Sequence, residues 1–154
     1  MKITVIVIIV GQSAVGKTSL FTKIMTNEVN KNNQATMGLE TMFKTISDED
    51  EKVIKIQFWD TGNFKKNNDK IGGQERFRAV VRQYYRNIHG IILAYDITRK
   101  ETFDALEDYW INEIKENAVF DTKGMEPGSN VSLLLVGNKS DLVHNRQVSY
   151  ENIN

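Results

Sequence analysis

Apolar residues recur along this chain in two rhythms. Ile3 to Val10 is an apolar, β-branched run, the signature of a strand buried on both faces. Glu40–Ile46 and Val53–Trp59 read as two strands joined by the acidic turn Ser47 to Glu51, a solvated turn. Gly90–Tyr95 reads as a further buried strand and Val131–Val136 as the last strand. Helical spacing fills the intervals. Ser19–Asn27 turns Leu20, Phe21 and Ile24 inward, and Gln74 to Asn87 carries a helical charge pattern. Glu101–Asn117 aligns Phe103, Leu106, Trp110 and Ile114 in one apolar stripe, so Trp110 belongs to the core. Asn27 to Gln34 is a polar, mobile loop, and Lys123 to Gly128, with the lone proline, is a surface loop. Strands alternating with helices predict an α/β fold, a mostly parallel sheet with helices on both faces. No internal repeat interrupts it.

The chain has 154 residues, enough for one domain with a sizeable core. Hydrophobic residues make up 40% and charged residues 26%, globular values for which disorder is not the default. Lys and Arg balance Asp and Glu, which argues against a nucleic-acid partner or a basic membrane-hugging surface. Cysteine is absent, so no disulfide forms and a reducing compartment is compatible. The run from Ile3 to Val10 is too short to span a bilayer, and no cleavage site follows it. A soluble cytoplasmic domain is the expectation.

Chemistry enters where the first strand ends. Gly11-Gln-Ser-Ala-Val-Gly16-Lys17-Thr18 stands between that strand and the first helix. Glycines at both ends let the backbone curl so that successive N–H groups face one centre. Lys17 adds a point charge there, and the Thr18 hydroxyl can ligate Mg²⁺. The helix aims its positive end at the same place. Such a loop holds the β-phosphate of a nucleotide and marks a P-loop NTPase. Gly11, Ser13, Ala14, Val15, Gly16, Lys17, Thr18 and Ser19 are its candidate contacts.

Asp60 stands where the third strand runs out, on the same sheet edge, where open parallel sheets bind ligands. A carboxylate there can hold Mg²⁺ through water. Asn138-Lys-Ser-Asp141 follows the last strand at that edge. Ionised Asp141 only accepts hydrogen bonds, and guanine offers it N1–H and the exocyclic amino group, a fork that adenine lacks. Asn138 can reach the other edge of the base, and the stem of Lys139 can cover a ring face. Thr36 can close over Mg²⁺ and the γ-phosphate; on residues alone it reads equally as a threonine opening a strand. Gly73 can sense the γ-phosphate with its N–H, and Gln74 can orient the attacking water. Lys17, Thr36 and Gln74 are therefore the catalytic candidates, and Thr18, Thr36 and Asp60 the metal ligands. His89 and His144 have no ligating neighbours in sequence and receive no role.

Assembled, these residues resemble the Ras superfamily of small GTPases, and within it the Rabs. Gly11–Thr18, Thr36, Asp60, Gly73-Gln74 and Asn138–Asp141 match that family's nucleotide motifs in order. Segments 55–61, 75–78, 84–86 and 95–98 resemble stretches typical of Rabs. The resemblance implies a GTP/GDP switch with Mg²⁺ that hydrolyses GTP and regulates vesicle traffic. It also implies exchange factors, activating proteins and effectors, on the cytosolic face of endomembranes. The alternatives are a catalytically impaired GTP-binding scaffold and a Ras-type signalling GTPase.

Four departures from the family pattern stand out. Asp60 and Gly73 are 13 positions apart where the family has three, so ten residues are extra. This Asn/Lys-rich insert, Gly62 to Ile71 within segment 62–72, costs only about 1–2 kcal/mol to close as a loop. It uncouples the γ-phosphate sensor from its strand, and catalysis is sensitive to small misplacements; slow or absent hydrolysis is expected. Gly62-Asn63 and Ile71-Gly72 are also compatible with splice-like codon ends, so a retained ten-codon intron is a second account, which the mature transcript decides. Second, residues 1–154 read as a single GTPase domain incomplete at its C-terminus, short of the family's sixth strand and final helix. Bare apolar surface and marginal stability are the expectation. Third, membrane contact requires a lipidated tail that a cysteine-free chain does not itself supply. Fourth, Val29 stands where relatives place an aromatic against the base, a loss of about 1 kcal/mol in nucleotide affinity.

Overall fold

The computed structural model describes residues 2–28, 40–47, 53–60, 85, 88–117 and 131–153. Its strands are β1 (Lys2–Val10), β2 (Glu40–Ser47), β3 (Val53–Asp60), β4 (Gly90–Asp96) and β5 (Ser132–Asn138). They form one sheet in the order β2-β3-β1-β4-β5. β1 pairs in parallel with β3 and β4, β4 pairs in parallel with β5, and β2 runs antiparallel to β3. The fold is thus α/β with a mostly parallel sheet, as the alternation of elements predicts.

β1 is central, and the two-residue period of a strand sends its side chains into two separate cores. Ile8 and Val10 enter one cluster with Ile91, Leu93, Tyr95, Leu106 and Ile114, against which Ile6, Phe103, Trp110 and Ile111 pack. Ile9 enters the other with Val15, Phe21, Phe58, Ile92 and Ala94, bordered by Leu20 and Ile24. An unbroken apolar run is what a strand covered on both faces needs.

Helix α1 (Lys17–Thr26) covers the second cluster. It starts two residues before the sequence-based boundary, so Lys17 and Thr18 already lie in its first turn. Phe21 is fully buried and meets Phe58 edge-on at 6.4 Å between ring centres. The helix stops at Asn27, which takes the left-handed conformation and returns its N–H to the Lys23 carbonyl. On the opposite face, α2 (Lys100–Ala105) runs through a π-helical turn at Leu106–Trp110 into α3 (Ile111–Asn117). The sequence pattern implied one regular helix. The wider turn lets the successive residues Trp110 and Ile111 both reach the core. Trp110 is half-buried and packs against the first cluster, on the core side as its place in the stripe suggests.

Among the described residues, β2 and β5 are the sheet edges. Leu133 and Leu134 on β5 are 55% and 56% exposed, so apolar surface lies open at that side. Of the segment 74–87, only Tyr85 is described; it is buried in the first cluster. The polar loop from residue 29, the acidic turn at 48–52, the insert and the loop at 123–128 lie outside the described residues.

Because Phe21 is the residue by which α1 grips the sheet, Phe21→Ala should destabilise the chain by about 3–5 kcal/mol. Urea unfolding monitored by circular dichroism checks this; a loss below about 1 kcal/mol would mean that α1 is held elsewhere.

Candidate functional site

The parallel register carries four strand ends to one edge of the sheet. Ile9 lies opposite Asp60 and Asp96 opposite Asn138, while β1 hands the chain to the loop Gly11–Gly16 at the same edge. This carboxyl edge is where open parallel sheets place ligands.

The loop's course is possible only with glycine at two positions. Gly11 has φ 149° and Gly16 has φ 91°. A Cβ on Gly11 would run into the Ala94 carbonyl oxygen, and one on Gly16 into the Asn138 amide nitrogen. Ala14 also takes a left-handed conformation, at φ 61°. Helix α1 begins without a capping side chain, so its first N–H groups face the loop's concavity. Asn138 ties down the loop's far side by donating its amide to the Val15 carbonyl at 2.8 Å.

Lys17 is buried, and its ammonium donates to the carbonyls of Gly11 at 3.0 Å and Gln12 at 2.9 Å. Burial lowers its pKa to about 8, against the pull of the Asp60 carboxylate, which raises it. The group remains largely protonated at neutral pH and is poorly neutralised, which suits it to receive an anion. The Thr18 hydroxyl donates to Asp60 at 2.5 Å, and Asp60 is fully buried. A hydroxyl and a carboxylate side by side are hard oxygen donors, the set that fits Mg²⁺. That ion takes one or two protein oxygens and draws the rest from water and phosphate. Among the described residues no cluster of three or more His, Asp or Glu offers another metal site.

Beyond the end of β5, Lys139 stands in the left-handed region at φ 64°, and Asp141 lies exposed in the 3₁₀ turn Ser140–Asn145. Lys139 sends its ammonium to Asp96 at 2.6 Å. The structure therefore brings together Gly11 to Ser19, Asp60 and Asn138 to Asp141. Thr36, Gly73, Gln74 and Val29 lie outside the described residues.

Sequence reasoning missed Asp96. It ends β4 at the ligand edge, and its side chain is 1% exposed. Thr98 donates to it through its N–H at 2.9 Å and its hydroxyl at 2.7 Å; Arg99 donates through Nε at 3.1 Å. Arg99 then reaches the Ser13 carbonyl with Nη2 at 3.0 Å. Burial alone would raise the Asp96 pKa. The hydrogen bonds from Lys139, Thr98 and Arg99 outweigh it and hold the carboxyl at about 2. The available signal was an acidic residue closing an apolar strand two positions before a threonine, an Asx-turn pattern.

A folded-state pKa below the unfolded value stabilises the native state above the unfolded pKa, and that stability is lost as pH falls. For Asp96 the window runs from about 3.8 down to about 2, with about 2 kcal/mol at stake. The stability lost between pH 5 and pH 2 should therefore be about 2 kcal/mol smaller in Asp96→Asn than in the wild type. Urea titrations at both pH values measure it; equal losses would mean that the carboxylate is not held as drawn.

The profile of the Ras family matches residues 6–154. The chain is 39% identical over 144 residues to the Ras-related protein RIC1 of Oryza sativa subsp. japonica, covering 94% of this chain and 61% of that protein. It is 39% identical over 143 residues to the Ras-related protein Rab-11A of Dictyostelium discoideum, covering 93% and 57%. To the Ras-related protein Rab-1 of Theileria parva it is 38% identical over 143 residues, covering 93% and 56%. The chain thus spans somewhat over half the length of these relatives. No helix among the described residues is long and apolar enough to cross a membrane. With a phosphate-type loop, a hydroxyl–carboxylate pair and an Asn-Lys-Ser-Asp turn on one edge of a parallel sheet, and these relatives across nearly all its length, the chain belongs to the Ras family as a Rab-like small GTPase.

Proposed function

We propose that this chain is a guanine-nucleotide switch that binds GTP and GDP with Mg²⁺, hydrolyses GTP to GDP and phosphate, and acts in vesicle traffic. The observation that carries this reading is the convergence of Lys17, the Thr18–Asp60 pair and Asn138 on one loop whose two glycines leave no room for a Cβ. In it, the loop's N–H groups from Ser13 to Ser19 and the Lys17 ammonium hold the phosphates. Thr18, Asp60 and Thr36 hold the metal, which when bound neutralises charge on the β- and γ-phosphate oxygens. Gly73 senses the γ-phosphate and Gln74 orients the water that attacks it. Asn138 and Lys139 flank the base, and Asp141 accepts from its N1–H and amino group. The names of the Rab-11A and Rab-1 relatives support the traffic role. Exchange factors, activating proteins and effectors are the partners that role requires. Residues 1–154 act as one GTPase domain, with 62–72 as an insert beside the switch.

A second reading is favoured by that insert: a GTP-bound scaffold that no longer cycles. Ten extra residues between Asp60 and Gly73 displace the sensor from its strand, and a misplacement of about 1 Å can cost 100-fold in rate. Single-turnover hydrolysis of GTP by the purified chain separates the two. Phosphate release at a rate that Gln74→Leu abolishes supports the switch; GTP held without hydrolysis supports the scaffold.

Base selection has its own test. Asp141→Asn replaces an acceptor with a donor opposite the guanine amino group. Affinity for GDP should fall by about 10⁴. Binding should return for xanthosine diphosphate, which presents a carbonyl there. Calorimetry with GDP, ADP and xanthosine diphosphate reads the result; ADP bound as tightly as GDP by the wild type would sink the reading.

A further inference from the structure

Three loops leave the sheet at the ligand edge: the phosphate loop after β1, the turn after β4 and the turn after β5. The first and third are tied directly by Asn138 on Val15. The second carries no nucleotide contact in the reading above, yet its buried carboxylate, Asp96, is bonded to Lys139 of the third and, through Arg99, linked to the first. Lys139 and Arg99 bind the same oxygen of Asp96, Oδ2, at 2.6 Å and 3.1 Å. Oδ1 is occupied by the N–H and hydroxyl of Thr98. Arg99 passes the restraint on to the Ser13 carbonyl in the phosphate loop. Thr102, buried, donates its hydroxyl to the Arg99 carbonyl at 2.7 Å and accepts from the Asp96 N–H at 3.0 Å, which locks the turn.

Burying a carboxylate to tie a turn is costly, and apolar packing does that work as well. What a carboxylate adds is orientation of two cationic side chains at once. One of these, Lys139, sits on a strained backbone at φ 64°, a conformation that persists only where its surroundings enforce it. Its pinned ammonium stretches the alkyl stem along the site. The other, Arg99, grips the loop that wraps the phosphates.

We propose that Asp96 is a positioning residue for the nucleotide, setting the separation of the purine-side turn from the phosphate loop by holding Lys139 and Arg99 on one carboxylate oxygen. This rests on the guanine-nucleotide reading and extends it to a residue that touches neither base nor phosphate. Asp96 acts on how long the nucleotide is retained. Without it, Lys139 is free to leave the base face and Ser13 to drift from the phosphates.

The test is a double-mutant cycle on the dissociation rate of a fluorescent GDP from the 154-residue chain, with Mg²⁺ present. Asp96→Asn and Lys139→Met should each speed release about ten-fold or more, the scale of losing a charged hydrogen bond. The double variant should release no faster than the faster single one, because both changes break the same link. A purely structural loosening by Asp96→Asn would instead multiply with Lys139→Met. A second cycle keeps Asp96 intact and crosses Arg99→Met with Lys139→Met, so the outcome does not depend on the folding of Asp96→Asn. Their effects should again fall short of the product, since the two side chains share one oxygen. Release from Asp96→Asn at the wild-type rate, or strictly multiplicative rates in either cycle, overturns the inference alone. Wild-type chain that retains no GDP overturns the parent reading and this inference with it.

Discussion

Burial of β1 on both faces is the constraint from which the rest of the structure follows. A strand that packs two cores at once cannot slide by one residue without exchanging its entire apolar set. Ile8 and Val10 are held on one side and Ile9 on the other. Gly11 is therefore delivered at a defined height above the sheet. The parallel neighbours β3 and β4 are registered to that strand: Asp60 ends β3 level with Ile9 and Ile92, and Asp96 ends β4 four residues further on, on the same side of the sheet. Everything chemical in the molecule stands on this shared edge.

Two buried charges there show how environment decides character. Lys17 and Asp96 are each almost wholly out of water. Lys17 meets two carbonyl dipoles, with Asp60 as its electrostatic counterweight, and desolvation wins. Asp96 receives four donated hydrogen bonds, two of them from cationic side chains, and the donors win. The first is an ammonium short of negative charge, kept in readiness for an anion. The second is saturated, and its value lies in holding other groups still. Desolvation raises the strength of every such contact, because the effective dielectric falls well below that of water.

The phosphate-type loop is over-determined: glycine at two positions, Asn138 and Arg99 on its carbonyls, and α1 behind it. The proposed sensors of the third phosphate, Thr36, Gly73 and Gln74, lie outside the described residues. In a switch, ligand-dependent segments need few contacts of their own while the groups that hold the ligand need many. The ten extra residues lie in sequence between Asp60 and Gly73, outside the described residues.

How much of this could be read without coordinates follows from how local each signal is. The run Ile3–Val10, the stripe Phe103, Leu106, Trp110 and Ile114, and the loop Gly11–Thr18 are legible because each is a pattern of consecutive or periodic residues. Their spacing alone encodes burial, helix and backbone curl. From the chain by itself came the α/β class, the family and the place of Asp60 and Asn138 at the ligand edge. Only tertiary structure decided that Asn138 spends its amide on Val15, that Lys139 is pinned by its ammonium, and that Asp96 is the acid receiving it. The π-helical turn at Leu106–Trp110 belongs with these, since it answers to the shape of the core and not to any local preference. The physical reason is common to all of them. A hydrogen bond between residues more than 40 positions apart depends on the register of strands between them, and no stretch of sequence carries that register alone.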